Sequence, residues 1–380
     1  MKPMHIICVG GGSGGHITPI FPVLHELSKY RDLQIELVVD QGFYPQAKGL
    51  VEKSNLDITL KTIASGRLRR YANYRWYDYL KEPSIPLNNL LDTFKIAAGY
   101  LQSLWLLRSR PDVVFAKGGF VSLPLGLAAN HRGIPLVIHD SDARPGLTNR
   151  VLSRFAQRIG TGTPVENYPY NQSITRYTGV PILADYRRHT EEEVRELKRV
   201  LGFDPDRPLI VATGGGLGAQ SINQAMLRGA RDLLEHGLQV FHITGKNNYT
   251  ESLKDKPAND DYRLVDFVYG GMSAILGAAD IVVSRASATT IQELAGLGKP
   301  TILIPAAHLG DQIQNAQIYR QSESAIVLRD DDIKETQLTD TILQLWDDPE
   351  KRQYLSDHLH AYARPKAAAD IAKLILEVMK

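Results

Sequence analysis

Five of the six positions from 10 to 15 are glycine, and the next residue is His16. Bare glycine backbone lets a ligand come close to N–H groups and to the positive end of a helix. An imidazole, which ordinarily titrates near neutrality, could accept a proton there from an attacking hydroxyl. The plainer reading of His16 is a helix-start histidine satisfied by local hydrogen bonds. Its place at the tip of a glycine turn, facing a cleft rather than a core, favours the functional one.

The second half of the chain carries richer polar material. In "SRASATTIQELAGLGKP" (284–300), Ser287, Ala288, Thr289 and Thr290 put N–H groups and hydroxyls at the start of a helix, an arrangement suited to a diphosphate. Glu293 follows about one turn later, where a carboxylate can accept two hydrogen bonds from a vicinal diol such as ribose. The plain alternative is a first-turn glutamate favoured by the helix dipole. Asp311, Gln312 and Asn315 then recur at helical spacing in "PAAHLGDQIQNAQ" (305–317), as groups that read sugar hydroxyls or, in Asp311's case, cap the helix.

Two common glycine-loop chemistries fit poorly. Gly10, Gly12 and Gly15 satisfy G-x-G-x-x-G, but the acidic residue a nicotinamide cofactor wants ~20 positions on is absent. Asp40 ends the second strand, too far along the chain for that role. A phosphate-binding P-loop needs Gly-Lys-Ser/Thr, and here His16 and Ile17 follow Gly15.

The elements that must hold these residues are short apolar runs alternating with amphipathic helical stretches, the signature of parallel sheets with crossover helices. Strand candidates in the first half are 5–9, 34–39, 112–116, 135–138 and 157–160; in the second they are 208–213, 240–244, 263–268, 280–284, 300–305 and 325–328. Each half opens with strand, glycine turn and helix, "IICVGGGSGGHITP" and then "LIVATGGGLGAQSIN". The fold class is therefore α/β: two Rossmann-like doubly wound domains facing a central cleft, with ligands expected at the carboxyl ends of the strands. Residues 1–175 form the first domain and 176–188 a linker marked by Gly179 and Pro181. The second domain covers 189–355, and C-terminal helices over 356–380 are expected to pack back on the first.

Composition narrows the partners. The 380 residues carry 44 basic and 42 acidic side chains, a net charge of +2, which argues against a nucleic-acid binder. The single cysteine, Cys8, excludes an internal disulfide and reads as a core thiol. No signal peptide is visible, and "NLLDTFKIAAGYLQSLWLL" (89–107) is broken by Asp92, Lys95 and Gln102, so no membrane span is expected. A cytoplasmic protein is the default. "GRLRRYANYRWYDYL" (66–80) interleaves arginines with aromatic rings, and Arg69, Arg70, Tyr74 and Trp76 suit a peripheral contact with an anionic membrane surface.

Taken in order, several blocks resemble the MurG family of glycosyltransferase family 28. In the first half they are "GGGSGGHITP", "GGFVSLPLGLAA" (118–129) and "GIPLVIHDSDARPGLTNR" (133–150); in the second, "GGGLGAQSIN", "DFVYGGM", "RASATTIQELAGLGKP" and the run Asp311 to Ala316. The resemblance covers nearly the whole chain. It implies a GT-B fold and an inverting, metal-independent transfer of GlcNAc from UDP-GlcNAc to the C4 hydroxyl of the muramoyl sugar of lipid I. The acceptor is an undecaprenyl-diphosphate-linked muramoyl peptide, and the enzyme sits peripherally on the cytoplasmic face of the membrane. No cofactor and no metal are expected, so backbone dipoles and donors must meet the charge of the leaving UDP.

Carried over by position, the resemblance puts Phe267 and Val268 at the uracil, Glu293 at the ribose, and Ala288, Thr289 and Thr290 at the diphosphate. Gln312, with Asp311 or Asn315 nearby, is expected at the GlcNAc hydroxyls, and Gly14, Gly15 and Gly216 close to the donor. His16 is the expected base or orienter of the acceptor, with Asp142 as the rival. Three departures stand out. Where the family commonly has Glu-Gln-Asn, this chain has Asp140-Ser141-Asp142. The family's linker arginine is replaced by Leu183, leaving Arg187 or Arg188 as a possible diphosphate contact, and its Ser-Gln in the second glycine loop is Gly216-Leu217. They motivate an alternative: a related GT-B transferase that uses a UDP-sugar and a different lipid or small-molecule acceptor. A catalytically silent nucleotide-sugar binder is a third reading.

Overall fold

The computed structural model describes residues 3–11, 14–67, 84–216, 218–268, 270–334 and 336–379. The chain forms two compact units, Met1–Pro181 with Lys366–Lys380, and Ile182–Pro365.

The first unit is a parallel sheet of order β3-β2-β1-β4-β5-β6-β7. Its strands are β1 (Met4–Val9), β2 (Leu33–Val39), β3 (Ile58–Thr62), β4 (Val113–Ala116), β5 (Leu136–Asp140), β6 (Arg158–Thr161) and β7 (Thr175–Tyr177). Its helices are α1 (Gly14–Ile17), α2 (Ile20–Ser28), α3 (Tyr44–Lys53), α4 (Ser84–Leu106), α5 (Ser122–His131) and α6 (Leu147–Leu152). β1 and β4 are buried on both faces, which is why they read as unbroken apolar runs rather than alternations. Cys8 lies in that core, and burial pushes its thiol pKa far up.

The second unit repeats the plan with order β10-β9-β8-β11-β12-β13. It contains α7 (Glu191–Val200), β8 (Leu209–Thr213), α8 (Gln220–Arg228), α9 (Ala230–Glu235), β9 (Gln239–Ile243), α10 (Tyr249–Ser252) and β10 (Tyr262–Val265). There follow α11 (Met272–Ala278), β11 (Ile281–Ser284), α12 (Ala288–Leu297), β12 (Thr301–Leu303), α13 (Gly310–Gln321), β13 (Ile326–Val327), α14 (Gln337–Asp347) and α15 (Pro349–His360). In both sheets the strand order reverses beside the strand that feeds a glycine loop, at β1/β4 and at β8/β11. Such switch points leave a crevice at the carboxyl ends of the strands.

The chain ends back in the first unit. Helix α16 (Ala367–Glu377) buries Ile371, Leu374 and Ile375 in the core that also holds Leu24 and Leu27 of α2. Full burial of such side chains is worth ~1.5–3 kcal/mol each, enough to hold the helix. Arg158 adds an ion pair to Glu377 at 2.7 Å.

Two boundaries differ from the sequence expectation. The stretch 176–188 is not a free linker: Arg176 and Tyr177 continue β7, Thr178 is buried in the first unit, and Tyr186 packs its carbonyl over Gly296 in the second. Of the C-terminal helices, α15 stays in the second unit against α12, and residues from Lys366 onward join the first. The edge strands β3 and β7 were not expected. β3 is partly exposed and mixes apolar with polar residues, and β7 has three residues, so neither presents an apolar run.

Candidate active site

In the first unit the chain leaves β1 at Gly10, turns, and returns as α1, so that the His16 carbonyl packs against Gly10. A Cβ on Gly10 would lie 2.3 Å from that oxygen, so only glycine fits. The His16 ring, partly exposed, stands over the turn that leaves β4. Gly118 and Gly119 adopt φ of +99° and +79° there, and a Cβ on Gly118 would lie 3.6 Å from His16 Nδ1 and 3.2 Å from Asn149 Nδ2. The turn thus brings His16 and the buried carboxamide of Asn149 to one spot at the β1/β4 switch point. Asn149 Nδ2 donates to the His139 carbonyl at 3.3 Å.

The end of β5 next to this turn holds a buried ionic cluster. Lys117, 1 % exposed, donates to Ser141 Oγ. Tyr170 OH donates to Asp140 Oδ2 at 2.7 Å, and Tyr168 OH donates to the Asp142 carbonyl at 2.7 Å, so two stacked tyrosines fix the 140–142 turn. Burial pushes the Asp140 carboxyl up to about 7, with the Asp142 carboxylate adding to the rise. Burial also lowers the Lys117 ammonium to about 8, against the pull of Asp140 and Asp142. Asp142 itself is partly exposed at the rim. The sequence reading missed Lys117; a lysine directly before Gly-Gly at the end of an apolar strand was the signal available.

In the second unit the loop after β8 carries Gly215 and Gly218 at positive φ, closed by a Gly218 N–H to Gly215 carbonyl bond of 3.0 Å. Gly216 is exposed at its tip. A Cβ there would stand 4.0 Å from the Phe267 ring, over which Lys246 Nζ lies 5.3 Å from the centroid. Val268, beside Phe267, packs on the core, which fixes the backbone of this pair.

Helix α12 starts across the switch point. Ser287 is its N-cap, accepting from Thr290 N at 3.2 Å and donating to Thr290 Oγ1 at 2.8 Å. Ala288, Thr289 and Thr290 are partly exposed on the first turn. One turn on, the Tyr186 hydroxyl donates to the Glu293 carboxylate, and burial raises the Glu293 carboxyl to about 7. Arg285, before α12, ties Asp330 at 2.6 Å and Ser221 at 3.0 Å, a brace the sequence reading did not find because its members lie far apart in the chain.

Several expected contacts are placed otherwise. Asn315 is 2 % exposed and donates to the Ala286 carbonyl at 3.1 Å, so it holds the loop entering α12. Gln312 Oε1 accepts from Ala306 N at 3.1 Å, securing the loop before α13 while its side chain remains partly exposed. Asp311 is not the cap of α13, whose N-cap is Leu309; it lies in the first turn. Arg187 forks onto Glu193 at 2.6 and 3.1 Å, and Arg188 reaches Asp357 at 2.6 Å, so both guanidiniums are already paired with carboxylates. Gly14 and Gly15 lie in α1 beside His16. Arg69, Arg70, Tyr74 and Trp76 lie outside the described residues.

Comparison with known proteins follows the same division. Residues 6–161 match the glycosyltransferase family 28 N-terminal domain and residues 209–375 its C-terminal domain. A Clostridium kluyveri protein named UDP-N-acetylglucosamine--N-acetylmuramyl-(pentapeptide) pyrophosphoryl-undecaprenol N-acetylglucosamine transferase is 33% identical over 97% of this chain and 98% of its own. A Bacillus thuringiensis protein of the same name, numbered 3, is 34% identical over 86% and 87%. Among solved structures, Acinetobacter baumannii MurG matches with a TM-score of 0.74 at 22% identity, covering 99% of this chain and 100% of its own. A Neisseria meningitidis UDP-GlcNAc 2-epimerase bound to UDP-GlcNAc matches at 0.66 and 15%, covering 98% and 100%. At these identities the structural likenesses establish the fold.

Proposed function

Since this chain belongs to the MurG family of glycosyltransferase family 28, we propose that it transfers GlcNAc from UDP-GlcNAc to the C4 hydroxyl of the muramoyl sugar of a polyprenyl-diphosphate-linked acceptor. The product is the disaccharide lipid used in peptidoglycan synthesis. The observation that carries this reading is the identity of 33% through 97% of the chain to a transferase of that name.

The chemistry is a displacement with inversion. The acceptor oxygen bonds to the anomeric carbon of GlcNAc, the bond from that carbon to the diphosphate breaks, and the hydroxyl proton passes to a base. In this reading the second unit holds the donor. Phe267 and Val268 take the uracil beside Gly216, Glu293 takes the ribose hydroxyls, and the first turn of α12 at Ala288, Thr289 and Thr290 meets the charge that grows on the leaving diphosphate. Gln312 is assigned to the GlcNAc hydroxyls. The first unit holds the acceptor, with His16 as the base over the Gly118–Gly119 turn and Gly14 and Gly15 beside it. Asp142 at the rim is an acceptor contact and the rival base.

The acceptor's lipid would lie in a membrane surface. Among the described residues no helix is long and apolar enough to cross a membrane. Helix α4, however, leaves Leu87, Leu90, Leu91, Phe94, Leu101 and Trp105 exposed at spacings that fall on one face. Lys95, Arg108 and Arg110 are exposed along and just beyond it. An apolar stripe flanked by cations suits peripheral contact with an anionic lipid surface, and it follows the arginine- and tyrosine-rich segment in the chain.

The test is transfer of labelled GlcNAc from UDP-GlcNAc to a short-chain lipid-linked muramoyl-peptide acceptor, with Glu293→Ala as control. Product from the wild type and a large loss in the control supports the reading. The Asp140-Ser141-Asp142 turn, where the family commonly has one carboxylate and two amides, favours a second reading with another acceptor. UDP-GlcNAc binding without transfer to the muramoyl lipid would select it.

A further inference from the structure

At the end of β5 a lysine and two aspartates share a largely buried space, an arrangement that folding alone disfavours, because each charge loses its hydration. Lys117 is reached from β4: its backbone N–H continues the ladder to the Val9 carbonyl at 2.9 Å, and the residue after it is Gly118, at positive φ beneath His16. Its ammonium is held on Ser141 Oγ, between the two carboxylates in sequence, and acts electrostatically on both. The turn is rigid, since Tyr170 holds the Asp140 carboxylate and Tyr168 holds the Asp142 backbone.

Among the described residues, the other titratable groups around this turn are His16, whose ring stands over Gly118, and His139, Tyr168, Tyr170 and Arg150. His139, fully buried with Nε2 2.9 Å from the Gly179 carbonyl, is held neutral by burial, with Lys117 adding to the effect. Tyr168 and Tyr170 are kept protonated by burial and by Asp140. Arg150 of α6 acts on Tyr170 and is exposed. All three members of the turn are also places where this chain departs from the family pattern, and the lysine contacts Ser141 and acts electrostatically on Asp140 and Asp142.

We propose that Lys117 is a positioning residue of the acceptor side: it clamps the Ser141 turn and keeps the Asp142 carboxylate ionised and aimed at the rim where the acceptor arrives. This rests on the transferase reading above and extends it to a residue that touches no substrate. Removing the ammonium leaves Asp140 and Asp142 to repel one another, so protonation of the pair becomes easier and the active form is confined to higher pH. A lysine that only filled space would not couple to pH in this way.

The test measures kcat/KM for the lipid-linked acceptor against pH in the wild type, Lys117→Met and Lys117→Arg. In Lys117→Met the pH below which the rate falls should move up by ~1 unit, the usual effect of losing an adjacent opposite charge, while Lys117→Arg keeps the wild-type limb. An equal loss at every pH overturns the proposal. Should Lys117→Met not fold, Asp140→Asn and Lys117→Met/Asp140→Asn, the latter losing one charge of each sign, are compared instead. The limb must lie higher in the double variant, and coincident limbs reject the idea. Titration of the aspartate carboxylates by 13C NMR without substrate reads the same coupling. If the wild type transfers no GlcNAc, the transferase reading fails, and the NMR shift between wild type and variant still decides the role of Lys117.

Discussion

The Tyr186 hydroxyl is hydrogen-bonded to the Glu293 carboxylate, so the group assigned to the ribose is already engaged by a side chain of the segment that enters the second unit. That bond lowers the carboxyl's pKa, burial outweighs it, and the result is an acid that titrates at about 7. A carboxylate must be ionised to accept two hydroxyl donors. Donor affinity is therefore expected to fall as pH drops below neutrality, and Tyr186→Phe, which removes the lowering bond, should move that fall to higher pH. Calorimetric titration of UDP at several pH values reads both. Glu293→Gln should weaken UDP binding by ~10- to 100-fold, the range of a lost charged hydrogen bond, and abolish its pH dependence near 7.

His16 and Gly118 form a second linked pair. His16→Ala should lower turnover by ~100- to 10,000-fold, the span of general-base catalysis, with UDP binding little changed because Phe267, Val268, Glu293 and the first turn of α12, the groups assigned to the nucleotide, lie in the other unit. Gly118→Ala should do part of the same damage without removing the imidazole. The residue sits at φ +99°, and its new methyl meets His16 Nδ1 and Asn149 Nδ2. A loss of ~1 kcal/mol in stability together with lowered turnover at unchanged donor affinity is expected. Full activity in Gly118→Ala would show that the ring is not held by this turn.

Much of this was legible in the chain. The two glycine loops, the small-residue turn into α12 and most strands stand out because backbone approach and buried parallel strands each impose a composition. The Asn315 placement was not legible: an amide that holds a loop carbonyl has the same residue type and spacing as one that reads a sugar. Nor was the Arg187 pair, since Glu193 serves at once as the capping-box acid of α7 and as its partner. Lys117 escaped notice because a lysine at a strand end ordinarily reaches solvent, whereas here it is buried and turned onto Ser141, a residue 24 positions on in the chain.

His242 gives the fold a pH dependence separate from function. It is fully buried in β9, bonded to Tyr262 OH at 2.9 Å and Asn223 Oδ1 at 3.0 Å, and burial lowers its pKa to about 3. A histidine with a folded pKa below its unfolded value binds fewer protons in the native state. Its contribution is thus complete above about pH 6.5 and is lost as pH falls toward 3, at up to ~1.4 kcal/mol per unit. His139 has the same sign. Urea unfolding between these limits should show falling stability in the wild type and a shallower slope in His242→Gln, which keeps a donor and an acceptor without titrating.

The exposed stripe on α4 makes the membrane assignment testable apart from catalysis. Phe94 and Trp105 are 67% and 68% exposed, so a charge at either position disturbs no core. Each buries roughly 2 kcal/mol of apolar transfer energy if it enters the interface. Phe94→Glu/Trp105→Glu should therefore lower partitioning onto vesicles containing anionic lipid by at least ~100-fold, leave the unfolding midpoint unchanged, and raise the KM for a long-chain lipid acceptor more than for a short-chain soluble one. Unaltered vesicle binding in the double variant would remove α4 from the contact and shift the assignment to the segment that carries Arg69, Arg70, Tyr74 and Trp76. The salt dependence then separates the two contributions: attraction through Arg108 and Arg110 weakens as the Debye length shortens, whereas burial of Phe94 and Trp105 does not.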